Sequence, residues 1–181
     1  KDRTAKDRYA LKAQLQQQQD GSLMFALTPQ GLLLNYEKWA VSAANNIIIT
    51  ADGGLQAQDF TLSQGSEQMS LQSLSKAGNA PPHVKFSDFR LSTFTSMVMA
   101  DSSLVDGRLT GELDLRDLQT KPAFTGDVQI NDLSYHSDTI GNVTARISNS
   151  GGSDLYYADV TLSGRGNEAS VKGSYNAASS A

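Results

Sequence analysis

The chain has no cysteine, four prolines, one tryptophan and two histidines in 181 residues. Without thiols it can form no disulfide, no thiolate metal site and no cysteine nucleophile, and the redox compartment stays open. Long apolar runs are missing as well. The longest clusters are GLLL at 31–34 and NIII at 46–49, so there is neither the run of about 18 apolar residues that a membrane helix needs nor a signal-peptide pattern. Charge of one sign is scarce. Charged residues make up 19% of the chain, the net charge is -4, and only the opening KDRTAKDR is dense in charge. No basic stripe therefore points to a nucleic-acid partner. The chain starts mid-pattern at Lys1 and ends in NAASSA, which suggests a piece excised from a longer repetitive protein.

What is present is alternation. Apolar and polar residues alternate with period two through nearly every segment, the pattern of strands with one dry and one wet face. Leu23, Phe25 and Leu27 follow the turn signal Asp20-Gly21, and Asp52-Gly53-Gly54 separates Ile47–Ile49 from Leu55 and Ala57. The tract KAGNAPPH at 76–83 reads as a loop, because proline cannot donate to a strand ladder. It divides the chain into N-terminal β repeats at 1–75, a loop and short amphipathic segment at 76–105, and C-terminal β repeats at 106–181. In the middle segment Leu91, Phe94 and Val98 fall at helical spacing, so about two turns of helix are expected near 92–100, plugging or covering part of the apolar face.

The C-terminal segment repeats a motif. GELDLRDL, GDVQINDL and GNVTARIS begin at Gly111, Gly126 and Gly141, each 15 residues after the last. Every one of these glycines shares parity with the apolar residues, so the dry face lacks a side chain there. Glycine costs a strand roughly 0.5–1 kcal/mol relative to alanine and marks a bend, a bulge or a close approach. Aligned across strands, the three would form a crease in the sheet. An antiparallel meander of on the order of 12 strands exceeds the size at which open sheets curl, split or close. Its dry face can be buried in a sandwich, a barrel or a trough, and a fixed repeat suits the trough. The barrel is disfavoured because the strands lack aromatic girdles.

The run LVDGRLTGELDLRDLQTKPAFTGDVQINDLSYHSDTIGNVTARISN, with YYADVTLSGRGNEASVKGSY after it and WAVSAANNIIITADGGLQAQDFTLSQGSEQMSLQS before it, resembles the repeats of the TamB family, the inner-membrane component of the translocation and assembly module. This AsmA-like resemblance spans about residues 30–175. It implies an all-β, mostly antiparallel, strongly curved sheet forming a taco-like apolar groove. It also implies a periplasmic location with an inner-membrane anchor outside this chain, and carriage of phospholipid between the two membranes. Outer-membrane protein assembly would involve a barrel partner of the TamA or BamA type. The groove floor would be built from Leu23, Phe25, Leu27, Leu109, Leu113, Leu115, Val128, Ile130, Val143, Ile147, Val160, Leu162 and Val171, with phospholipid acyl chains as the bound partner and no cofactor. The competing expectation is that these residues pack on one another in a closed core.

Nothing in the sequence has the spacing of an enzyme site. His83 falls in the loop tract and His136 in the turn YHSD, and two lone histidines with scattered aspartates make neither a metal site nor a triad. Asp52-Gly53-Gly54 lacks the later ligands of a calcium loop. Asn142-Val143-Thr144 matches a glycosylation acceptor, a coincidence in a bacterial protein. Trp39, Tyr156 and Tyr157 suit core and rim positions, or the stacking platform of a β-sandwich module that binds carbohydrate or protein, the alternative reading.

Overall fold

The computed structural model describes residues 6–73, 82–98, 104–116, 123–149 and 153–180. In chain order the strands are β1 (Ala13–Gln17), β2 (Leu23–Leu27), β3 (Leu33–Leu34), β4 (Glu37–Lys38), β5 (Ala40–Val41), β6 (Asn46–Ile49), β7 (Leu55–Gln58), β8 (Phe60–Gln64) and β9 (Glu67–Ser73). After them come β10 (Pro82–Arg90), helix α1 (Leu91–Val98), β11 (Val105–Arg116), β12 (Ala123–Tyr135), β13 (Asp138–Asn149), β14 (Leu155–Gly164) and β15 (Asn167–Asn176). The expected all-β, antiparallel character is present. Nine strands form one sheet in the order β15-β14-β13-β12-β11-β10-β9-β8-β5, and β1-β2-β6-β7 form a second. The large sheet is open and does not close into a barrel.

Local chemistry explains the hairpins. At Asp20-Gly21 the aspartate Oδ1 accepts from the Ser22 N–H at 2.9 Å, and glycine takes φ +84°. His136-Ser137 and Arg165-Gly166 each have two positive φ values between directly paired strand ends, the two-residue turn whose twist matches that of the flanking strands.

The core lies between the sheets at one end of the large sheet. Leu32, Trp39, Val41, Phe60, Leu62, Phe86, Phe89 and Leu109 are buried together, and Leu27 and Ile47 of the small sheet pack against them. The rings of Trp39 and Phe89 lie 5.6 Å apart. The helix is where the spacing placed it, to within a residue or two. The Phe94 ring sits 4.7 Å from Phe89 and 6.0 Å from Phe86, while the side chain of Val98 is outside the described residues. Glu67, buried in β9, accepts from the Arg90 N–H at 3.0 Å, and Asp106 accepts from the Ser92 N–H at 3.3 Å. Two carboxylates thus hold the positive end of the helix dipole.

Two expectations need correction. Residues 76–81 of the loop tract lie outside the described residues, but Pro82 and His83 open β10, pairing with Ser73 and Gln72. Proline is tolerated there because it is the first residue of the strand. The large sheet consequently joins strands from all three expected segments. The glycine crease also fails. Gly111 pairs with Val128, Gly126 with Leu113 and Ile147, and Gly141 with Leu133. Antiparallel reversal puts the three in separate rows. Each is instead a close approach: a Cβ on Gly111 would meet the Asp127 carbonyl oxygen at 2.3 Å, and one on Gly126 would meet the Glu112 carbonyl oxygen at 2.4 Å. Irregularities elsewhere supply the bending. Register shifts fall between Phe86 and Phe89, Asp106 and Arg108, and Ile130 and Leu133, on three successive strands, and bulged strands bend and twist more.

Candidate functional site

Residues directly paired in an antiparallel ladder project from the same face, so register alone defines the apolar surface. One row runs Val41, Leu62, Met69, Phe86, Gly111, Val128, Ala145, Val160, Val171 across all nine strands. A second runs Phe60, Leu71, Val84, Leu113, Gly126, Ile147, Ala158, Gly173. A third connects Phe89, Leu109, Ile130, Val143, Leu162 and Ala169. Leu115 pairs with Phe124, whose ring lies 5.5 Å from Tyr156. Every floor residue expected on β11 to β15 is therefore on one face. Leu23, Phe25 and Leu27 share a face of the small sheet, Leu23 paired with Ile49, Phe25 with Leu15 and Ile47, and Leu27 with Ala13.

Burial along this face is graded. At the β5 end Val41, Leu62 and Phe86 are sealed, and Leu109 joins them. Leu113, Val128 and Ile130 pack partly against that core. Beyond them Ala145 is still buried, Val143, Ile147, Val160 and Leu162 are half-buried, and Val171 at the far edge is 65% exposed. The small sheet shows the same trend: Ala57 on β7 is buried, and Leu15 on β1 is 71% exposed. The sequence did not separate these two regimes. Sealed residues such as Phe60, Leu62 and Leu109 alternate just as the open ones do, and only the identity of the covering sheet distinguishes them.

The opposite face is polar and charge-paired. Lys85, Glu112, Asp127, Arg146, Asp159 and Lys172 form a cross-strand row, with Arg146 Nε 2.7 Å from Asp127 and Lys172 Nζ 3.0 Å from Asp159. A shallow hollow of about 530 Å³ lies over β12 to β15, lined by Arg146, Ser148, Tyr157, Asp159, Lys172 and Ser174 among others. His83 Nδ1 is 2.7 Å from Asp114 Oδ1 on the neighbouring strand, and His136 occupies its turn against the Tyr135 ring. Trp39 is core, Tyr156 lies on the apolar face, and Tyr157 is 52% exposed on the polar face. Among the described residues, no three His, Asp or Glu side chains converge as a metal site, and no helix is long and apolar enough to cross a membrane.

No family model, curated protein or solved structure matches the chain.

Proposed function

We propose that the open half of the apolar face, from Val143 to Val171, accommodates phospholipid acyl chains, in a non-catalytic, cofactor-free segment of a TamB-like envelope protein. The observation that supports this reading is the graded exposure of one continuous apolar surface. A sealed end anchors the sheet, and a more open end offers contact to a ligand that needs no specific hydrogen bond. Burial of apolar surface contributes about 25 cal/mol per Å², so a two-tailed lipid laid along these rows is held by area alone. The bulges on β10 to β12 would curve the sheet toward a taco-like groove. In the whole protein this groove would lie in the periplasm, anchored to the inner membrane, passing phospholipid toward the outer membrane and assisting protein assembly there with a barrel partner of the TamA or BamA type.

A second reading, a β-sandwich module that binds carbohydrate or protein, has its own support in the core closed between two sheets and in exposed Tyr157 beside the polar hollow. Native mass spectrometry of the chain purified from bacterial membranes, followed by lipid extraction, separates the two. Co-purified phospholipid that is lost in Leu162→Arg favours the groove. A folded, lipid-free chain favours the sandwich.

A further inference from the structure

Strand β15 is an edge of the large sheet, and all ten of its residues are exposed. Natural edges are blunted by a proline, a bulge, an inward-pointing charge or charged side chains, lysine above all. β15 carries Glu168 and Lys172 but neither proline nor bulge: its ladder to β14 runs without a register shift from Asn167 to Asn176. The opposite edge, β5, has only two residues.

The Arg165-Gly166 turn fixes which backbone groups are available. A two-residue hairpin closes on a hydrogen-bonded pair, here Gly164 and Asn167. By alternation, Asn167, Ala169, Val171 and Gly173 direct their N–H and C=O groups to β14. Glu168, Ser170, Lys172 and Ser174 direct theirs outward, where no other strand lies among the described residues.

We propose that this edge pairs with β15 of a second copy of the chain, antiparallel about a two-fold axis at Ser170. In that register Glu168 of each copy lies opposite Lys172 of the other, Ser170 faces Ser170, and Ala169 faces Val171. Outward backbone groups meet outward backbone groups. The polar row continues its alternation of sign, because Asp127, Arg146, Asp159 and Lys172 are followed by the second copy's glutamate. The apolar row Val128, Ala145, Val160, Val171 meets alanine and then Leu162 of the second copy. The axis is normal to the sheet, so both dry faces lie on the same side and form one uninterrupted surface. This inference does not depend on the lipid reading.

Sedimentation velocity of the 181-residue chain over a concentration series tests it. The expected result is a reversible dimer. Lys172→Glu places glutamate opposite glutamate twice and weakens the dimer roughly tenfold or more, as does Glu168→Lys with lysine opposite lysine. Mixing the two variants restores a heterodimer, and the double swap Glu168→Lys/Lys172→Glu restores the homodimer. Ser170→Pro removes an outward N–H without touching the β14 ladder, so it abolishes dimerisation while circular dichroism stays that of the wild type. A wild-type monomer at all concentrations, open-ended oligomers, or a dimer indifferent to these substitutions would overturn the proposal.

Discussion

At the scale of single residues, the polar groups that are buried are also used. Asn45 is only 4% exposed, yet its Oδ1 accepts from the Leu27 N–H at 2.8 Å, and its Nδ2 donates to the Leu27 and Ser42 carbonyls at 2.9 and 2.6 Å. It clips the end of β2 to the turn before β6. Asn45→Ala leaves the Leu27 amide without its partner and should cost roughly 2–3 kcal/mol, read as a lower midpoint in urea. Hydrogen bonds lower the pKa of three aspartates. The Ser66 hydroxyl, bonded to Asp88 at 2.5 Å, is the chief cause holding that carboxyl below its ordinary range; partial desolvation opposes it, and Arg108 at 2.9 Å adds to the lowering. Hydrogen bonds from Ser22 and Thr50 do the same for Asp20 and Asp52. A folded-state pKa below the unfolded one means that the folded chain binds fewer protons. The stabilisation is present above the unfolded value, about 3.9, and is lost as pH falls through the folded value. The triple variant Asp20→Asn/Asp52→Asn/Asp88→Asn should therefore lose less stability than wild type as pH falls below the ordinary carboxylate range, measured by thermal melts.

At the scale of elements, strand identity and face were legible in the sequence wherever period two was unbroken. Outside their bulges, strands β11 to β15 alternate cleanly, which is why Leu109, Val128, Val143, Val160 and Val171 were all assigned to one side. β10 was hidden because its alternation slips: Val84 and Phe86 share parity, then Ser87 and Asp88 intervene, and Phe89 resumes one residue late across the bulge. The positive φ of Asp88, 48°, marks that slip, and an aspartate in a strand gives no unambiguous sign of it. The helix was legible because Leu91 and Phe94 break the same alternation at the right interval. Phe94→Ala removes the contacts with Phe86 and Phe89 and should destabilise by roughly 1–2 kcal/mol. The glycine repeat was visible, but its meaning was not, since close approach depends on which strand lies opposite. The sealed and open halves of the sheet respond differently to charge. Leu113→Arg introduces an unpaired cation beside the core and should cost roughly 2–4 kcal/mol. Leu162→Arg, on a strand with one uncovered face, should leave the midpoint in urea nearly unchanged.

At the scale of the whole molecule, the fold divides one amphipathic sheet into a part that holds itself together and a part that does not close. The core of Trp39, Phe60, Phe86 and Phe89 lies under the small sheet and α1, while β13 to β15 carry the same apolar rows on to the exposed Val171. An apolar face left partly open among the described residues is a common mark of a binding surface, and that physical fact underlies the lipid reading. The measurement that bears most directly on the central claim uses phospholipid carrying a nitroxide on its acyl chain and methyl-labelled protein. With acyl chains on this face, the methyl signals of Val143, Ile147, Val160, Leu162 and Val171 broaden in proportion to bound lipid, while those of Leu32, Val41, Leu62 and Leu109 stay sharp. Equal insensitivity of both sets, or broadening confined to residues of the polar face, would contradict it.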